Sequence, residues 1–259
     1  MTDAGIPDLN YVLEGPEDAP VLVLSNSLGT AMEMWDAQAP ALRERFRLLR
    51  YDARGHGGSP APPGPYEIED LGRDVIHLLD HLGIGRASFC GLSVGGMTGM
   101  WLAAEAPERF ERLILLCTSA LLGPKSVWDE RIATATGRGM AALVDGVIER
   151  WFTPAFHAEN PEVVEKMART LRETDPRGYA GCCAAIRDMD LRDRLPSVAA
   201  PTLVVSGAED PATPPEHGGL IADAIPGARF EVVPDAAHIA NVERPEKVTR
   251  LILTHLEVQ

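Results

Sequence analysis

Two periods alternate along the chain. Short apolar runs at residues 21–25, 87–90, 113–117 and 201–206 have the length and composition of buried strands, and 47–52 and 229–233 read as two more. Between them lie stretches with helical spacing. Residues 34–45 read as one helix. Residues 68–82 read as another, with Ile68, Leu71, Val75, Leu78, Leu79 and Leu82 on one face. Residues 94–106 form an apolar helix stopped by Pro107, and 242–256 a closing helix. A Gly- and Pro-rich loop occupies 54–65. Strands alternating with helices predict an α/β fold, a mostly parallel sheet covered by helices. The alternation stops from about Leu121 to Pro196, where only helical spacing remains. The expected division is therefore an α/β core over 1–120 and 197–259, with a helical cap over 121–196.

Composition narrows the classes without choosing among them. The chain has 259 residues, enough for one large domain, with 45% apolar and 24% charged residues, as ordinary globular proteins have. No apolar run is long enough to span a bilayer, and the first residues carry no export signal, so a cytoplasmic protein is expected. The net charge of −14 includes no basic stripe to neutralise phosphates, which argues against a nucleic-acid partner. Cys90, Cys117, Cys182 and Cys183 form no CxxC pair and are expected to be reduced, mostly buried thiols.

Gly91-Leu92-Ser93-Val94-Gly95 sits where a strand runs into a helix. Small residues two positions either side of a serine permit a sharp turn that exposes its Oγ beside helix N-terminal N–H groups, the setting of a nucleophile. A dinucleotide fingerprint would place glycine at Ser93, and a P-loop would place lysine at Met97, so nucleotide binding is disfavoured. Seven histidines compete for the role of base. His77 and His81 flank Leu78-Leu79-Asp80, which is not the HExxH zinc pattern. His238 follows the strand at 229–233 in a loop at a strand's C-terminal end, where open α/β sheets place their sites. The strand at 201–206 ends near Glu209 and Asp210; Asp210, fixed by Pro211, is the preferred orienting acid and Glu209 the runner-up. The order Ser93, Asp210, His238 is that of α/β-hydrolases. Backbone N–H groups of Val94 and, from the loop at 26–30, Leu28 are the expected oxyanion donors.

These residues together resemble the α/β-hydrolase superfamily over essentially the whole chain, and Asp52-Ala53-Arg54-Gly55-His56-Gly57-Gly58-Ser59 is similar to its D-x-R-G-x-G-x-S loop. Asn26-Ser27 stands where many members have His-Gly. Ser25 to Thr30, Cys182 to Leu191 and Gly207 to Pro215 are similar to the corresponding loops of 3-oxoadipate enol-lactonases. The resemblance carries the family's acid onto Asp210. It implies hydrolysis of a small enol-lactone to 3-oxoadipate, with no metal or organic cofactor. With Gln259 last, it also implies no fused decarboxylase extension.

The implied substrate carries a carboxylate while the protein is acidic, so a local cation is expected, most naturally an arginine of the cap. Arg131, Arg138 and Arg187 are the candidates, with Trp128 and Trp151 as apolar walls. Competing readings are a carboxylesterase, a C–C bond hydrolase or a perhydrolase of the same fold, and an inert binding protein built on it.

Overall fold

A computed structural model describes residues 8–257. The readings of the first residues as carrying no export signal, and of Gln259 as the end of the domain, lie outside them. Seven strands, β1 (Tyr11–Glu14), β2 (Val21–Ser25), β3 (Arg47–Tyr51), β4 (Ala87–Leu92), β5 (Phe110–Leu116), β6 (Thr202–Gly207) and β7 (Arg229–Val233), form one sheet in the order β1-β3-β2-β4-β5-β6-β7. Among the described residues only β1 pairs antiparallel, with Tyr11 opposite Tyr51. All other neighbours are parallel. Every residue of β4 and β6 is buried, as strands covered on both faces must be. The expected α/β architecture is observed, with one strand added. β1 is four residues long and only partly buried, so its apolar signal is weak.

The helices are α1 (Ala39–Leu42), α2 (Ile68–His81), α3 (Val94–Glu105), α4 (Lys125–Arg138), α5 (Val144–Trp151), α6 (Pro154–Glu159), α7 (Pro161–Glu173), α8 (Pro176–Asp188), α9 (Pro215–Ala224), α10 (Ala240–Glu243) and α11 (Pro245–Glu257). The continuous helix expected at 34–45 is not there. A 3-10 turn at Met32–Trp35 is followed by the single turn α1, because Pro40 cannot continue a preceding helix but suits a first turn. Pro245 divides the closing helix into α10 and α11 in the same way. Helix α3 is apolar nearly all round because it packs on β4 and β5 on one side and α2 on another. Five helices, α4 to α8, separate β5 from β6, and α4 lies along α8.

The glycine-rich loop after β3 braces this layer. Asp52 accepts from the Met32 N–H (2.8 Å), the Gly58 N–H (2.9 Å) and the Asn10 amide (2.8 Å). Arg54 makes a buried two-pronged pair with Asp74, both contacts 2.6 Å. Gly55 and Gly178 touch backbone to backbone; a Cβ on Gly55 would stand 2.3 Å from the Gly178 Cα. That contact seats α8 against the core. All four cysteines are free and buried. Among the described residues no helix is long and apolar enough to cross a membrane.

Candidate active site

β4 ends and α3 begins within two residues, and Ser93 occupies the bend with φ 58° and ψ −117°. A non-glycine residue there is strained and is held only by its surroundings. Those surroundings need glycine. A Cβ on Gly91 would lie 2.2 Å from the Gly95 carbonyl oxygen, and one on Gly95 would lie 2.5 Å from that of Ser25. The Ser93 N–H donates to the Leu116 carbonyl (2.9 Å), and the Thr118 hydroxyl donates to the Ser93 carbonyl (2.7 Å). The Val94 N–H belongs to the first turn of α3, where no intrahelical acceptor exists.

The loop after β2 is locked beside this bend. The Asn26 main-chain carbonyl accepts from the Gly95 N–H (3.1 Å), while its side chain donates from Nδ2 to the Tyr51 carbonyl (2.7 Å) and accepts at Oδ1 from the Trp35 indole (3.0 Å). Every polar reach of this buried side chain serves to fix the loop that carries Leu28. The Ser27 hydroxyl, also buried, has no hydrogen-bond partner among the described residues.

His238 lies in the loop after β7, and Asp210 in the loop after β6. The His238 Nδ1–H donates to Asp210 Oδ2 at 2.9 Å, since an ionised carboxylate can only accept. The proton on Nδ1 leaves Nε2 as the basic nitrogen. Asp210 also accepts from the Ala212 N–H (2.8 Å), the Thr213 N–H (3.0 Å) and the Thr213 hydroxyl (2.7 Å). Burial works to raise the Asp210 pKa, but His238 and Thr213 outweigh it and hold the carboxyl below its ordinary range. Glu209 is exposed and plays no part in this pairing. Two further histidines are engaged elsewhere: His217 Nδ1 meets the Ser119 hydroxyl (2.9 Å) and His255 Nε2 the Pro201 carbonyl (3.1 Å).

Ser93, His238 and Leu28 line one cavity of about 220 Å³. That volume suits a small substrate rather than a long chain. Its opposite wall comes from the helices between β5 and β6: Val127, Trp128 and Arg131 of α4, Val147, Arg150 and Trp151 of α5, and Tyr179 and Ile186 of α8. Arg131 stacks on the Trp128 ring at 4.8 Å. Burial and then the charge of Arg131 lower the Arg150 pKa, so the two cations lining this wall repel each other. Among the described residues neither guanidinium has a carboxylate partner, although most arginines of this chain do. Among the described residues the buried Tyr179 hydroxyl makes no hydrogen bond of good geometry, and the charges of Arg131 and Arg150 lie beside it.

The structure thus brings Trp128, Arg131 and Trp151 to the cavity and leaves two of the expected arginines outside it. Arg138 is exposed at the far end of α4. Arg187 points away along α8, paired with Asp129 (2.7 Å) and Asp188 (2.5 Å). Arg150 and Tyr179 are additions. Their only sequence signal was spacing: Arg150 shares a helix face with Val147 and Trp151, as Arg131 does with Val127 and Trp128.

A sheet of this order, with a serine on a strained strand-to-helix bend and an acid-backed histidine after the last strand, has the architecture of an α/β-hydrolase. The α/β-hydrolase-fold family is matched over residues 20–245, and the chain belongs to it. It is 43% identical over 238 residues to 3-oxoadipate enol-lactonase 2 of Acinetobacter baylyi, covering 92% of this chain and 89% of that one. The crystal structure of the enol-lactonase from Burkholderia xenovorans superposes with a TM-score of 0.96 at 46% identity, covering 97% of each chain. A protein named carbamate hydrolase RutD from Stutzerimonas stutzeri is 30% identical over 258 residues, 97% of each.

Proposed function

We propose that the protein is a serine hydrolase that opens 3-oxoadipate enol-lactone, a small enol-lactone bearing a carboxylate, to 3-oxoadipate. The observation that carries this reading is one small cavity joining Ser93 and the Asp210-backed His238 to two guanidinia that form no ion pair with a carboxylate among the described residues. Such a cavity offers a nucleophile at one side and an anion seat at the other. The similarity to two enol-lactonases supports the choice of lactone.

In this mechanism Ser93 Oγ attacks the lactone carbonyl while His238 Nε2 takes its proton, and Asp210 stabilises the imidazolium. The N–H groups of Leu28 and Val94 receive the developing oxyanion. Collapse breaks the ring C–O bond and releases an enolate that becomes the ketone by taking up the proton His238 carries, which restores His238 as a base; the leaving group stays tethered in the acyl-enzyme. His238 then activates water, which cleaves the Ser93 ester and returns the free hydroxyl. Arg131 and Arg150 hold the substrate carboxylate. Residues 121–196 act as the cap that closes this wall, and the four free thiols support a cytoplasmic setting.

Carbamate hydrolysis is the second reading, favoured by the relative of that name. Purified protein is assayed on the enol-lactone, an uncharged aryl ester and a carboxylate-bearing carbamate. The enol-lactone is expected to give the highest kcat/KM. A higher value for the carbamate replaces the reading. Ser93→Ala is expected to abolish turnover and fluorophosphonate labelling with the fold intact; a variant retaining most activity refutes the nucleophile.

A further inference from the structure

The buried carboxylate of Glu243 lies outside the chemistry just described, yet it ties that chemistry to the cavity wall. Glu243 ends α10 and is 3% exposed. Its Oε2 accepts from the Ala237 N–H at 2.8 Å. Its Oε1 accepts from the Thr153 N–H at 3.0 Å and from the Thr153 hydroxyl. Thr153 Oγ1 in turn caps α6, accepting from the Phe156 N–H at 3.2 Å. No cation pairs with Glu243 among the described residues. All three partners are donors, the arrangement a carboxylate needs and a neutral side chain cannot copy.

The positions of these partners matter more than their number. Ala237 immediately precedes His238, and the residue after it, Ile239, donates its N–H to the Trp151 carbonyl at 3.0 Å. His238 is therefore gripped on both sides by residues 151–153, and Trp151 itself walls the cavity. The opposite side of the same loop rests on the end of β6, where the Glu209 N–H donates to the Ala236 carbonyl at 2.9 Å. The loop would be anchored to the sheet without Glu243. What Glu243 adds is registration between the His238 ring and the helices that seat the substrate.

We propose that Glu243 is a positioning residue, which sets His238 in register with the α5–α6 wall so that the base meets an acyl group placed by that wall. The proposal rests on His238 being the base of the reaction above. Glu243→Gln tests it, because an amide must turn a donor toward either Ala237 or Thr153. Displacing a catalytic group by about 1 Å can cost roughly 100-fold in rate. The expected result is a folded protein whose kcat and rate of Ser93 phosphonylation fall together, by roughly 10- to 100-fold, with KM changed by less than about threefold. Thr153→Ser, which keeps the hydroxyl, is expected to retain both rates. Phosphonylation is read because it needs Ser93 and His238 but no particular substrate. A folded Glu243→Gln protein with wild-type phosphonylation overturns the proposal. If that variant does not fold, Thr153→Val, which keeps both backbone bonds, is read in its place. Its phosphonylation rate is expected to fall by roughly 3- to 10-fold, and an unchanged rate overturns the proposal. A wild-type protein that resists the probe overturns instead the hydrolase reading beneath it.

Discussion

Arg150→Ala separates binding from folding, because the two should move in opposite directions. Arg150 is half-buried, faces Arg131, and has no carboxylate partner among the described residues. Its lowered pKa says that the folded protein resists that charge, through burial first and Arg131 second. Truncation removes a repulsion and leaves no orphaned anion, so stability should hold or rise slightly. Binding should weaken. A charge-assisted hydrogen bond is worth about 1.5–3 kcal/mol, roughly 10- to 150-fold in affinity. Arg131 remains to hold the substrate carboxylate, which places the loss toward the lower end, roughly 10- to 30-fold. Steady-state kinetics on the enol-lactone should show that rise in KM with kcat little changed, while an uncharged aryl ester keeps its KM. Equal rises for both substrates, or none for either, would refute the anion seat. So would a Tm loss above about 4 °C, roughly 1 kcal/mol or more for a chain of this size, because it would make Arg150 structural.

Three further outcomes follow from the same geometry. Asp210→Asn should lower kcat by on the order of 10⁴-fold with little change in fold, since an amide no longer holds the His238 proton on Nδ1; a loss under about tenfold would remove Asp210 from the relay. Because the folded-state pKa of Asp210 lies below its ordinary value of 3.8, its contribution to stability is complete above that range and is lost as pH falls through the folded value. Acid unfolding followed by circular dichroism should therefore begin at higher pH in wild type, relative to neutral-pH stability, than in Asp210→Asn. Gly95→Ala should destabilise by about 3 kcal/mol or more, because its Cβ would stand 2.5 Å from the Ser25 carbonyl oxygen; an unchanged denaturant midpoint would mean that the bend relaxes without cost.

Much of the site was legible because it is local. The bend at Ser93 is written in three adjacent requirements: an apolar strand, two glycines that the crossing backbones demand, and an apolar helix. Asp210 and His238 each stand within a few residues of a strand's C-terminal end, so the parallel sheet delivers both to one edge whatever the helices do. Hydrophobic periodicity likewise marked six of the seven strands. It overran at 34–45 and at 242–256, where a proline weighs more than the apolar spacing around it.

Which arginine faces the cavity was decided elsewhere. Arg131, Arg138, Arg150 and Arg187 are all helical residues with apolar neighbours, and spacing assigns each a face without saying what that face meets. The crossing of α4, α5 and α8 over the sheet turned Arg131 and Arg150 inward, left Arg138 in solvent, and gave Arg187 to Asp129 and Asp188. Glu243 is the same case at longer range, its carboxylate meeting Thr153, 90 positions away in the chain. The chain by itself determined the strands, the bend and the order of Ser93, Asp210 and His238, because backbone sterics and burial act between near neighbours. The shape and charge of the cavity came only with the tertiary structure, because the packing of five helices chose which side chains share it.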